Sequence, residues 1–188
     1  PAGVFTADGE YCHDAQTFRS GGKPTTVEPL PPAPADIDST VNGTMLYGGM
    51  AYGHFGHALC ESLSRLWALD SFDETIDAVA YIPKQKLTWP ERSLSMVRNI
   101  AASLGEIPRL TAFNEPTRVE RLIVAPQGFG TGNLMAGCPE MRDFTDRRPC
   151  LDRGNDWWNE VRLATSRSAH GVEGSSRASI VTTFAVTT

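Results

Sequence analysis

The hydrophobic pattern is clearest over residues 54–70, where leucines recur at helical spacing. Leu59, Leu63 and Leu66 are separated by four and then three positions, so a helix would place them on one buried stripe. Residues 48–53 contain three glycines and lead directly into this segment. We therefore predict one amphipathic helix over 54–70, entered through a flexible loop.

Apolar runs alternate with helical patterns further along the chain. A helix is predicted from Pro90, with one apolar stripe that ends at Gly105, and a shorter one from Pro139. Strands are predicted at 44–47, 77–83, 109–113 and 118–125. Strands and helices that alternate in this way are typical of parallel βαβ units. The predicted fold is therefore α/β with a Rossmann-like sheet.

The two ends of the chain differ from this pattern. Residues 1–44 are rich in glycine, proline and threonine, which predicts an irregular N-terminal arm with one short strand near 3–6. Residues 45–168 form the expected Rossmann-like domain. Residues 169–188 are rich in serine, threonine and glycine and show strand-like character only at 180–186. We expect an unstructured or miscoded tail there.

The composition of the chain argues against nucleic-acid binding and against a membrane span. The chain has 188 residues, a formal net charge of −5 and 40% hydrophobic residues, which fits one soluble domain without a basic surface for nucleic acid. It contains neither an apolar run that could span a membrane nor a signal-peptide pattern, so we expect a cytoplasmic protein. Its four cysteines are scattered without a C-x-x-C pair, which favours reduced thiols. No cofactor is expected.

Candidate chemistry lies on the polar face of the predicted central helix. His57, Glu61 and Arg65 recur every four residues, so the carboxylate could orient the imidazole while the arginine keeps the carboxylate ionised. Such a group suits a general base at the edge of a cleft. Glu61 and Arg65 could equally form an ordinary solvated ion pair. A third possibility is a metal site formed by His54, His57 and Glu61.

Three further motifs are weaker. The D-x-D at 36–38 has the form of a metal and sugar-diphosphate site, but it follows a proline-rich loop, which favours turn chemistry. The glycine-rich segment 128–133 lacks the spacing and the lysine of a phosphate loop, so we interpret it as a surface loop. Trp157 and Trp158 could stack on sugar rings or pack in the interior.

Part of the sequence resembles a known family. Leu-Tyr-Gly-Gly at 46–49, His-Phe-Gly-His at 54–57 and Glu-Ser-Leu-Ser-Arg-Leu-Trp at 61–67 resemble the signature of the family 61 glycosyltransferases, the DUF563 group, especially its bacterial members. The resemblance extends back to 3–9 and forward through 119–124 to 137–142. It covers about the first three quarters of the chain.

The resemblance implies a GT-B architecture of two Rossmann-like domains, of which this chain would supply the N-terminal, acceptor-side half. It implies transfer of a sugar, with inversion, from a nucleotide-sugar donor held mainly by the other half to a hydroxyl of a glycan acceptor. His57 would be the base or an acceptor ligand, with Glu61 orienting it or acting as the base itself. His54 and Arg65 are the expected substrate-binding residues.

The resemblance stops at Ser-Arg-Ser, residues 166–168, and the family's donor-side motifs do not follow. Since the chain also opens on Pro1, we expect an incomplete or frame-shifted gene product that changes near Ala169. Such a chain should neither transfer sugar alone nor bind a nucleotide-sugar in the micromolar range. A carbohydrate-binding or structural α/β module without catalysis is the alternative.

Overall fold

A computed structural model describes residues 3–19, 23–24, 37–84, 90–129, 138–147 and 179–187. The strands are β1 (Gly3–Phe5), β2 (Phe18–Arg19), β3 (Lys23–Pro24), β4 (Ser39–Ala51), β5 (Ala78–Pro83), β6 (Arg109–Ala112), β7 (Thr117–Val124) and β8 (Ser179–Thr187). The α-helices are α1 (Phe55–His57), α2 (Pro90–Ala101) and α3 (Pro139–Arg147), with a π-helix at Ala58–Ser62 and 3₁₀ turns at His13–Ala15, Leu66–Asp70 and Ala102–Leu104.

The main sheet has the order β1-β8-β7-β4-β5-β6, and the four strands from β7 to β6 are parallel. Leu46 of β4 lies between Val79 of β5 and Ile123 of β7, and all three side chains are buried. Helices cover one face and the N-terminal segment, with Val4 and Ala15, packs on the other. Both faces are therefore buried, which explains why the central residues of these strands are mostly apolar. The predicted α/β fold with a parallel sheet is confirmed, and this sheet is consistent with a Rossmann-like fold.

Helix α2 follows the predicted pattern. Leu94, Val97 and Ile100 are buried against the sheet, and the 3₁₀ turn after the helix buries Leu104. The helical segment ends at Gly105, whose φ of 95° is a backbone conformation that favours glycine. Helix α3 also begins at Pro139 as predicted, so local sequence signals determine both helices.

The prediction for the C-terminal segment is wrong over residues 179–187. This segment forms β8, which pairs antiparallel with β7 on one side and with β1 on the other. Serine and threonine made the segment resemble a disordered tail, but threonine and valine have high strand propensity and fit a pleated sheet. Residues 169–178 lie outside the described residues.

The N-terminal segment is also part of the main sheet. The predicted strand near 3–6 is confirmed as β1, which joins the sheet through β8. The strand predicted at 44–47 is longer, because β4 begins at Ser39 and runs through the expected boundary between residues 44 and 45. The proline-rich run at 29–34 lies outside the described residues.

Residues 54–70 do not form the single helix that was predicted. A short α1 passes into the π-helix, where the Leu63 N–H donates to the Ala58 carbonyl at 3.2 Å, and a turn then precedes the 3₁₀ segment. The Ser62 hydroxyl ties the wide turn to the end of β4 by donating to the Met50 carbonyl at 2.7 Å. Leu63 and Leu66 of the predicted stripe are buried, whereas Leu59 is only half-buried.

Gly48 provides a stability prediction at the bulge where the pairing of β4 with β5 shifts. A Cβ at this position would overlap the ring of Tyr81, which is itself fully buried. We expect Gly48→Ala to lower the free energy of unfolding by about 1–3 kcal/mol, the usual cost of overpacking a core. Urea denaturation measures the loss. Gly56→Ala is the matched control, because the nearest atoms to its added methyl group lie 3.8 Å away. Equal stability of the two variants would contradict the prediction.

Candidate functional site

His57 and Glu61 form a hydrogen-bonded pair, with 2.7 Å between His57 Nδ1 and Glu61 Oε1. The Glu61 side chain is fully buried, whereas that of His57 is 39% exposed. With the carboxylate ionised and the imidazole neutral, Nδ1 is the donor to Glu61 and the lone pair lies on Nε2. In this state the pair presents a basic nitrogen, oriented by a buried carboxylate, at the cleft.

The π-helix holds this pair in place through Ser62. The Ser62 hydroxyl accepts from the Tyr52 N–H at 3.2 Å, and the Ser62 carbonyl accepts from the Tyr81 hydroxyl at 2.9 Å. The Ser64 hydroxyl also donates to the Glu61 carbonyl at 2.7 Å. These bonds join the π-helix to β4 and β5, so the carboxylate is fixed by buried backbone and side-chain contacts. π-Helical turns frequently occur at functional sites.

Two aromatic rings flank the imidazole of His57. The ring centroids of Tyr52 and of His54 each lie 5.4 Å from that of His57. Tyr52 is buried at the end of β4, whereas His54 is exposed in the loop that precedes α1. The structure therefore brings together three of the four residues expected at the site: His54, His57 and Glu61.

A cleft of about 370 Å³ opens beside His57. It lies at the carboxyl ends of β4 and β5, the edge at which ligands bind in open parallel sheets. Its described lining residues are Tyr52, Gly53, His54, His57, Lys84, Arg92 and Ser93. The sequence analysis did not identify Tyr52, Lys84, Arg92 or Ser93. Two of them could have been found from their positions. Lys84 directly follows a strand and Arg92 lies in the first turn of the next helix, and such positions lie at the same edge of a parallel sheet.

Arg65 does not lie on the polar face where it was predicted, because the π-helix ends before it. Its side chain is fully buried and its guanidinium bonds elsewhere: Nε donates to the Ala125 carbonyl at 2.9 Å, and the terminal nitrogens donate to the carbonyls of Asp14 and Gln16 and to the Thr17 hydroxyl. Desolvation by burial lowers the pKa of this guanidinium. These contacts support a structural role for Arg65.

The N-terminal segment and Arg65 occupy the crevice between β4 and β7. The strand order reverses there, since the chain moves from β4 to β5 and β6 on one side and then to β7 on the other. Ligands usually bind at such a reversal. Here the Gln127 carboxamide accepts from the Phe18 N–H at 2.8 Å and holds the segment over the strand ends. The open cleft is therefore on the β5 side of β4.

Cys60 lies next to Glu61 and is half-buried. Burial raises the pKa of its thiol to about 11, and the Glu61 charge adds to this rise. The folded protein thus holds the thiol proton more tightly than the unfolded chain does. Any stability that comes from this proton is fully present below about pH 9 and is lost as the pH rises to about 11.

We expect Cys60 to react with iodoacetamide roughly 100-fold more slowly at pH 8 in the folded protein than in the denatured chain, because each pKa unit lowers the thiolate fraction tenfold. Peptide mass spectrometry gives the rate at each pH for the same residue in both states. The folded-state rate should still be rising near pH 10. A plateau near pH 9 would contradict the raised pKa.

The described residues contain no group of three or more His, Cys, Asp or Glu side chains arranged to hold a metal ion. This weighs against the metal site suggested for His54, His57 and Glu61. The D-x-D motif is described only in part, with Asp38 exposed before β4. Most of the glycine-rich loop, both tryptophans at 157–158 and the Ser-Arg-Ser at 166–168 lie outside the described residues.

Comparisons with known proteins do not assign a function to the chain. Within the described ranges, no helix has the length and apolar character needed to cross a bilayer. No protein-family model, curated protein or solved structure matches the chain. The resemblance to family 61 glycosyltransferases therefore stays a prediction.

Proposed function

We propose that this chain carries the base and the acceptor cleft of a glycosyltransferase that moves a sugar from a nucleotide-sugar donor to a hydroxyl of a glycan. The single observation that supports this most is the His57–Glu61 hydrogen bond of 2.7 Å, with the carboxylate buried and the imidazole facing a cleft. Paired groups of this kind activate hydroxyl groups in many enzymes. The sequence resemblance supplies the choice of sugar transfer among such reactions.

The proposed chemistry needs one proton acceptor at the cleft. A glycan hydroxyl placed within about 3 Å of His57 Nε2 gives its proton to that nitrogen as its oxygen bonds to the anomeric carbon of the donor. The bond between the anomeric carbon and the phosphate oxygen breaks at the same time, so the configuration inverts. The new imidazolium donates to Glu61 through Nδ1, and the buried carboxylate stabilises its charge.

Neighbouring groups support binding of a sugar in this cleft. The exposed ring of His54 lies beside His57 and offers a face on which a sugar ring can stack. His54 would contact the acceptor, as the sequence suggested. The donor would be held mainly by a second Rossmann-like domain in a GT-B arrangement, because the crevice at the strand reversal of this domain is occupied by its own N-terminal segment.

Sugar transfer by a complete enzyme that joins this domain to a donor-binding domain tests the proposal, because the chain alone is not expected to transfer sugar. Mixtures of nucleotide-sugars and oligosaccharides are incubated with the protein, and mass spectrometry detects any glycan that has gained one sugar. We expect transfer that depends on His57. Glycan binding without transfer would overturn the proposal and support a carbohydrate-binding module. Transfer that persists after His57 is replaced would show that the base lies elsewhere.

A further inference from the structure

Two cationic side chains line the same cleft as His57. Lys84 directly follows β5, and Arg92 lies in the first turn of α2. Lys84 Nζ lies 4.8 Å from the centroid of the Tyr52 ring, which places its charge over the cleft wall. Within the described ranges, neither cation forms a salt bridge with a carboxylate. Both charges are therefore open to a ligand.

Ser93 adds a hydroxyl to this wall. The residue is only 4% exposed, yet it lines the cleft. Gly53 approaches it closely, since a Cβ there would lie 3.3 Å from Ser93 Oγ. A hydroxyl at the wall of a cleft can donate a hydrogen bond to a ligand.

Helix α2 strengthens the positive field at this wall. The helix has 12 residues, and Arg92 and Ser93 lie in its first turns, near backbone N–H groups that have no acceptor within the helix. These amides carry the positive end of the helix dipole. The described lining residues of the cleft include four basic or imidazole side chains and no carboxylate. This local field contrasts with the net charge of −5 of the whole chain.

We propose that Lys84, Arg92 and Ser93 form an anion subsite that binds the carboxylate or phosphate group of an acidic acceptor glycan. The two cations would neutralise the anionic group while the Ser93 hydroxyl donates a hydrogen bond to one of its oxygens. The sugar ring that carries this group would then lie in the cleft beside His54, with a hydroxyl toward His57. Identifying the ligand as an acceptor rests on the proposed function, but anion binding itself does not.

Binding of simple anions to the purified chain tests this subsite. Sodium glucuronate and inorganic phosphate are the two anionic probes, and glucose is the neutral control. In a ¹H–¹⁵N NMR titration, we expect saturable shifts of the Gly53 and Ser93 amides with an anionic probe and none with glucose. Lys84→Met and Arg92→Gln should each weaken binding at least tenfold. Ser93→Ala should weaken it by a smaller factor, because it removes one hydrogen bond without changing the charge.

Arg98→Gln is the matched control, because it removes the same charge from the same helix but lines a different surface depression. It should leave the affinity unchanged. Binding of glucuronate alone identifies an acidic sugar, and binding of phosphate alone identifies a phosphorylated glycan. Glucose binding of equal strength, equal losses in the Arg98 variant, or no binding of either anion would overturn the subsite. Because the titration involves no turnover, its failure is distinct from a failure of the transferase proposal.

Discussion

Replacing His57 by alanine is expected to lower the rate of sugar transfer by roughly 10²- to 10⁴-fold, the usual effect of losing a general base. The acceptor hydroxyl would then have to lose its proton to water. His57 is 39% exposed and packs on the surface of the site, so the melting temperature should change little. Steady-state kinetics and thermal denaturation of the same preparations measure both effects.

Two companion variants make this result specific. Glu61→Gln keeps the size of the side chain but removes the charge that faces His57 Nδ1 at 2.7 Å, so it should lower turnover without abolishing it. His13→Ala removes an exposed histidine from the N-terminal segment and should leave turnover unchanged. A His57→Ala protein that unfolds at much lower temperature but keeps its turnover per folded molecule would show that His57 is structural.

Replacing Arg65 by methionine is expected to lower the free energy of unfolding by about 3–5 kcal/mol, because each buried carbonyl left without its donor costs about 1–3 kcal/mol. Methionine fills similar space, but it leaves the carbonyls of Asp14, Gln16 and Ala125 without the donors that Arg65 provides. Arg65→Lys should also destabilise, since one ammonium group cannot reproduce the geometry of a guanidinium. Guanidinium chloride denaturation measures both losses.

Arg121→Met is the control for this experiment. Arg121 forms a 2.7 Å ion pair with Glu74, but both side chains are about one-third exposed, so the variant should lose less than about 1 kcal/mol. A loss for Arg65→Met as small as that of the control would show that the buried network contributes little. It would also reopen the earlier hypothesis that Arg65 belongs with the substrate-binding residues.

The central fold could be predicted because its signals are local. The strand at Ala78–Pro83 is a short apolar run closed by proline, and α2 has an apolar stripe with proline and glycine at its ends. Such patterns depend on neighbouring residues alone. The sequence shows strand-like character at 180–186, but the place of β8 between β1 and β7 depends on contacts with residues far away in sequence, which no local pattern reveals.

Part of the site could be predicted because it depends on residues that are close together in the sequence. The His57–Glu61 contact needs only one helical turn, and a π-turn preserves it as well as an α-turn does. The position of Arg65 depends on where the helix ends, and that is determined by the bonds of Ser62 to β4. Lys84 and Arg92 come from separate elements, so only the assembled sheet shows that they line the cleft of His57.

The pairing of β1 with β8 has a consequence for how the chain folds. Val4 pairs with Val186, so nearly the whole sequence separates these two partners. Contacts of such high order form late, because a long loop must close before they stabilise anything. The parallel strands between Ser39 and Val124 can associate earlier from nearer neighbours. During synthesis on the ribosome, β1 can therefore join the sheet only after β8 has been translated.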